Sequence, residues 1–126
     1  MRILITMIII LVLIVGAGYW TNNALQKATN GLVKQIDIVI TEIRSGDKQA
    51  AITANKQLED KWKKEAKWWP IFLDHQEIDN IEFCMARTKE YVKNGNNPLS
   101  LGQLSELRLM IEHIPEKEAV TLENIL

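Results

Sequence analysis

The chain has 126 residues, with 15 basic side chains against 16 acidic ones and a formal net charge of −1. That balance excludes a nucleic-acid binder of the kind that announces itself by a basic excess. The single cysteine, Cys84, excludes a disulfide framework, so stability must come from packing.

Residues 3–20 form an 18-residue run with no charge and one aliphatic hydroxyl, Thr6. As a helix the run reaches about 27 Å, close to the roughly 30 Å of a bilayer's hydrocarbon core. Arg2 precedes it, and Tyr19 and Trp20 close it with the amphipathic rings of a membrane interface. A cleaved signal, with secretion after a cut near Ala17, is the alternative. A signal's apolar region is shorter, and here no polar stretch precedes the cut. The expected arrangement is therefore a retained transmembrane anchor over residues 1–20 and a second unit over 21–126. The first cation after Trp20 is Lys27. With Arg2 on the other flank, the positive-inside rule puts the N-terminus in the cytoplasm and residues 21–126 outside.

Beyond the anchor the pattern is helical. Leu25, Leu32, Ile36, Val39 and Ile43 fall on one helix face, widened by Val33 and Ile40. Gly46 is suited to end this helix in the left-handed conformation, and Asp47 to cap the next. The second stripe is Ala51, Ala54, Leu58, Trp62, Ala66 and Trp69, and Pro70 then breaks or kinks the chain. A third helix is expected with Ile71, Ile78, Ile81, Met85, Thr88 and Val92 on a face, stopping at the turn residues Asn94–Pro98. Ser100 with Gln103 resembles a capping box for a fourth helix carrying Leu101, Leu104, Leu107, Ile111 and Ile114, which Pro115 closes ahead of a short tail ending in Ile125-Leu126. Short connections between amphipathic helices imply antiparallel neighbours. The expected fold class is all-α: an N-terminal transmembrane helix followed by an antiparallel four-helix bundle built from two helical hairpins.

Two stretches could carry chemistry. Asp74-His75-Gln76-Glu77-Ile78-Asp79 puts His75 and Asp79 one turn apart, a spacing that could supply two metal ligands; Glu112 and His113 could complete the set, because antiparallel packing brings the start of the third helix to the end of the fourth. The structural reading makes His75 a hydrogen-bonded core histidine on the Ile71–Ile78 stripe, and Asp74, Glu77 and Asp79 partners of the helix dipole. It is preferred because neither Glu-x-x-His nor His-Glu-x-x-His spacing occurs. The second stretch, Lys61 to Trp69, is basic and aromatic. Lys61, Lys63, Lys64, Lys67 and Trp68 could lie on anionic lipid headgroups or grip an anionic polymer. Periodicity instead makes Trp62 and Trp69 core and the lysines a solvated face, leaving Trp68 over. Cys84, between Phe83 and Met85, reads as a small buried hydrophobe. Serine-nucleophile motifs, phosphate loops and paired-cysteine metal motifs are absent from the sequence.

The anchor, the Arg44-Ser-Gly-Asp47 turn, Trp62, the string Phe72-Leu-Asp-His75-x-Glu77-Ile-Asp79, Glu112-His-Ile-Pro115 and the terminal Leu122-Glu-Asn-Ile-Leu126 together resemble a family of small single-pass membrane-anchored helical proteins from endospore-forming bacteria, a domain of unknown function. The resemblance implies a location and a shape and no activity. The sequence is thus expected to encode a membrane-anchored interaction or scaffold protein of the cell envelope. It would be no enzyme, need no cofactor, and take no nucleic acid or small-molecule substrate. Its expected partners are the lipid bilayer and another membrane or envelope protein, or a second copy of itself. The competing classes are a metal-binding or enzymatic bundle using His75, Asp79, Glu112 and His113, and a lipid- or wall-polymer-binding domain using Lys61–Trp69.

Overall fold

A computed structural model describes the backbone of residues 1–125 and the side chains of residues 1–115. The chain is all-helical, with no strand among the described residues. Its elements are α1 (Arg2–Ser45), α2 (Lys48–Lys64), α3 (Trp69–Phe72), α4 (His75–Lys93) and α5 (Asn97–Ile125). The 44 residues of α1 run without a break from the apolar segment into the packed part, a rod of about 66 Å at 1.5 Å per residue. No side chain in its 18-residue apolar window is buried, and α1 is the one helix among the described residues long and apolar enough to cross a membrane.

The second half of α1 packs against α2 and α5; α4 packs against α5 and α2, and α3 lies against α4. Leu25, Leu32, Ile36, Val39 and Ile43 are all buried, so the stripe read from the sequence is the face α1 turns to its neighbours. Ala51 and Ala54 let α2 approach α1 closely. There the buried Gln35 donates from Nε2 to the Ala54 carbonyl at 2.9 Å and to Gln57 Oε1 at 3.3 Å. Among the described residues no buried side-chain polar atom lacks a partner, as a packed interior requires. On the outer edge Arg108 of α5 reaches Asp37 of α1 at 2.7 Å and Glu112 at 2.9 Å.

The helix ends explain the turns. Gly46 takes φ 82°, a left-handed conformation open to glycine at no steric cost, and Asp47 accepts from the Ala50 amide. At the end of α4, Gly95 takes φ 72°, the Asn96 amide donates to the Tyr91 carbonyl at 2.9 Å, and the Gly95 amide donates to the Val92 carbonyl at 3.1 Å. Ile43, Gly46, Lys48, Val92 and Gly95 line one cavity, so the two glycine turns sit side by side at one end of the packed part.

Four boundaries differ from the sequence reading. The helix after Asp47 stops at Lys64, and residues 65–68 form turns. Ala66 is therefore exposed, and Trp69 belongs to α3. The expected third helix is divided: Leu73 is extended and Asp74 caps α4, so Leu73 is buried and Ile71 is exposed. Pro70 fits the second position of α3, where its missing N–H costs nothing. The last helix starts at Asn97 and not at Ser100: Asn96 accepts from the Leu99 amide, and the fully buried Ser100 hydroxyl donates to the Asn96 carbonyl at 2.7 Å. Nor does Pro115 close that helix, whose backbone continues to Ile125. Proline removes one ladder bond, but Ile111 and Ile114 hold the preceding turn in the core, and Glu116-Lys-Glu-Ala119 favours helix. The terminal Leu122–Leu126 string lies outside the described side chains.

Candidate functional site

The end of the packed part opposite the glycine turns is built by three segments: the aromatic close of the apolar run, the tryptophan that no stripe took, and the segment after Pro70. Trp62 and Trp69 form its floor. They are 3% and 2% exposed, their rings stack with centroids 4.8 Å apart and planes 14° apart, and Trp69 Nε1 donates to the Trp62 carbonyl at 3.2 Å. The turn at residues 65–68 makes this possible, because it folds Trp69 back onto the last turn of α2. Trp62 Nε1 in turn donates to Glu82 Oε1 of α4 at 3.3 Å.

Above this floor an apolar groove of about 390 Å³ runs between α1 and the α2–α3 segment. Trp20, Ala24, Leu25 and Ala28 make the α1 wall; Trp68, Ile71 and Phe72 face them, and Glu65 is the one charged residue in the lining. Trp68 remains 49% exposed and Ile71 67% exposed. Lys67 holds its Nζ 5.8 Å from the centre of the Trp68 ring, within cation–π range. Lys61, Lys63 and Lys64, in the last turn of α2, are also exposed. Ile71 and Phe72 were missed as site residues because the stripe rule assigned them to a helix face. The usable signal was an apolar pair trapped between a helix breaker, Pro70, and a capping residue, Asp74.

The family model of a domain of unknown function, DUF4363, matches residues 19–125. The chain belongs to the DUF4363 family. The match begins at Tyr19, so the DUF4363 domain takes in the aromatic close of the apolar run and both walls of the groove and leaves most of the run outside. No curated protein and no solved structure matches the chain.

In the DUF4363 domain Asp74 and Glu77 lie at the positive end of α4, as the helix-dipole reading expects, but the core-histidine reading of His75 fails. Asp74 is the N-cap of α4 and accepts from the Glu77 amide at 2.8 Å, in the Asp-x-x-Glu spacing of a capping box. His75 is not a core histidine: as the first residue of α4 it projects from the rim and is exposed, as are Asp79, Glu112 and His113. The stripe argument failed because the break at Leu73-Asp74 rotates α4 relative to Ile71. Glu77 and His113 line one small cavity with Leu73, Asn80 and Met110, but His75 and Asp79 are not part of it, and Glu112 is engaged by Arg108. Among the described residues no group of three or more His, Cys, Asp and Glu side chains is placed to hold a metal. Cys84 is fully buried, with its Sγ 3.3 Å from the Gln103 carbonyl. Burial, assisted by Glu106, pushes its thiol pKa above the ordinary range, which suits a packing residue and opposes nucleophilic use.

Proposed function

We propose that this DUF4363 protein is a single-pass membrane protein in which residues 1–20 are a retained anchor, residues 21–126 form an antiparallel four-helix bundle outside the cytoplasm, and the bundle acts by binding rather than by catalysis. The observation that carries the reading is the continuity of α1. The helix whose first half has no neighbour is also the one whose second half packs against both α2 and α5. An anchor that is an integral strut of the domain fixes the domain's height and orientation over the membrane, as a scaffold requires. Two tight hairpin turns, at Gly46 and Gly95, support the two-hairpin arrangement. The partner is another protein of the cell envelope or a second copy of this chain.

Orientation is tested by a reporter fused after Leu126. Activity only in its exported form supports the reading, and activity in the cytoplasm overturns it. A mature chain that begins after Ala17 would instead support the secreted alternative. The binding role is tested by crosslinking in native membranes. A discrete adduct is expected, and its absence at every solvent-exposed position tried would refute the scaffold role.

A second reading is favoured by the half-exposed Trp68 beside Lys67: contact with an anionic lipid surface or a wall polymer through Lys61–Trp69.

A further inference from the structure

The groove between α1 and the α2–α3 segment lies at one defined height on the molecule. Its α1 wall starts at Trp20, where the apolar run stops, and ends at Ala28. Eight residues of helix rise about 12 Å, so the groove spans the headgroup layer next to the hydrocarbon edge that an anchor over residues 1–20 defines and extends roughly as far again beyond it. At this height Trp20, Trp68 and Ile71 leave large apolar surfaces uncovered.

Charge accompanies them. The link between α1 and α2 is only Gly46-Asp47, so α2 runs back toward the start of the packed part. Its last turn and the following turn deliver Lys61, Lys63, Lys64 and Lys67 to the same end, all exposed. Tryptophan and an aliphatic side chain with lysines at the same end, at the level where an apolar helix emerges, match the chemistry of a bilayer interface: amphipathic rings at headgroup depth and cations facing anionic headgroups. Protein interfaces are depleted in lysine, whereas four exposed lysines accompany this apolar surface, whose groove lining is apolar save Glu65 and Thr21.

We infer that this end of the domain is a second membrane contact. Trp68 and Ile71 insert into the lipid interface beside Trp20, the upper ends of lipid chains enter the groove at its Trp20 end, and the four lysines meet anionic headgroups. The inference rests on the reading of residues 1–20 as a retained anchor. It turns a tethered domain into a seated one: α1 and the Trp68–Ile71 lobe give two points of attachment, and the Gly46 and Gly95 turns then point away from the membrane, where a partner would meet them.

The test uses the full chain reconstituted in vesicles of phosphatidylglycerol and phosphatidylcholine with acyl chains brominated near the headgroup, read by tryptophan quenching. Trp62 and Trp69 are buried, so Trp20→Phe leaves Trp68 as the one exposed tryptophan. Trp20→Phe protein is expected to be quenched by the brominated lipid, and the added Trp68→Phe change is expected to remove most of that quenching, leaving only what Trp69 in the groove lining contributes. Trp68→Phe alone reports Trp20 and hence the anchor. Quenching of Trp20 without quenching of Trp68 overturns the second contact and leaves the anchor standing. Absence of both overturns the anchor and the inference with it. A Trp68 response to soluble polyphosphate but not to brominated lipid overturns the lipid assignment in favour of a wall polymer. Lys63→Gln with Lys64→Gln and Lys67→Gln should lower Trp68 quenching in phosphatidylglycerol vesicles. Unchanged quenching would overturn the headgroup contact.

Discussion

The two halves of α1 share one backbone, and their side chains meet different surroundings. In the first half Ile10 is 51% exposed; in the second Ile36 is completely buried. The residue type is the same and the helix is the same. What differs is the pattern around each. The first half is apolar on every side, which suits a medium of uniform low polarity. The second half gathers most of its apolar residues on the stripe that faces α2 and α5, with Ile38 outside it at 40% exposed, and places Lys27, Lys34, Asp37 and Arg44 among the remaining positions. The contrast teaches that apolar content identifies a solvent only when its distribution around the helix is read with it. It also gives substitutions in the two halves opposite consequences.

The largest effect is expected where the packed region closes. Trp69→Ala removes a ring stacked on Trp62 and a bond to its carbonyl, and should destabilise the domain by roughly 3–5 kcal/mol, as large core truncations do. Denaturant unfolding of the full chain in detergent would measure it. A loss below about 1 kcal/mol, the range of an average substitution, would mean that the tryptophan pair does not close the core.

The comparison within α1 is sharpened by a matched pair. Ile36→Ala should cost about 2–5 kcal/mol of domain stability, whereas Ile10→Ala, remote from every other helix, should leave the unfolding midpoint where it is. Ile10→Arg should do the reverse: no change in the packed part, and a penalty of roughly 2.5–3.5 kcal/mol on membrane insertion. Equal effects of Ile10→Ala and Ile36→Ala on unfolding would erase the distinction between the halves.

Capping changes are expected to be smaller. Asp74→Ala deprives the Glu77 amide of its acceptor at the start of α4 and should cost about 1 kcal/mol, within the usual 0.5–2 kcal/mol range for such caps. Asp74→Asn should recover most of that loss, because an amide oxygen also caps. Failure of asparagine to recover it would assign the aspartate a role beyond the helix start.

Much of this fold was legible because periodic burial follows from helix geometry alone. The stripes of α1, α4 and α5 and the caps at Gly46 and Asp47 needed nothing beyond local spacing. Two kinds of feature were not legible. One is a proline's effect, which depends on context. Pro70 marks a break, since the chain between Lys64 and Asp74 has turns and one short helix around it. Pro115 does not, since its neighbours Ile111 and Ile114 are held in the core. The other is rotation after a break. Ile71 and Ile78 share a helical phase on paper, but the extended Leu73 resets that phase, so Leu73 enters the core and Ile71 stays at the surface. The groove depends on this reset and on Trp69 folding back over α2. Its lining therefore comes from α1, the turn and α3, residues that no single periodic window joins. Trp68 was visible only as a residue that no stripe would take.

The smallest effect is expected next to one of the larger caps, at His75. A core histidine would need a satisfied partner, and its replacement would leave a buried group unpaired at a cost of about 1–3 kcal/mol. His75 is instead exposed at the first position of α4 and makes no hydrogen bond or ion pair among the described residues. His75→Gln should therefore stay within about ±0.5 kcal/mol, the range of ordinary surface changes, while Asp74→Ala one residue earlier is clearly destabilising. The pair separates the two roles of the Asp-His string, since only the aspartate holds the helix start. A metal site would behave differently. A chelator would lower the Tm of the wild type and leave that of His75→Ala unmoved, because a ligand that binds only the folded state stabilises it by mass action. Equal Tm values with and without chelator are expected for both proteins. A chelator-sensitive wild type beside an insensitive His75→Ala variant would make His75 a ligand and reopen the metal-binding alternative with Asp79, Glu112 and His113.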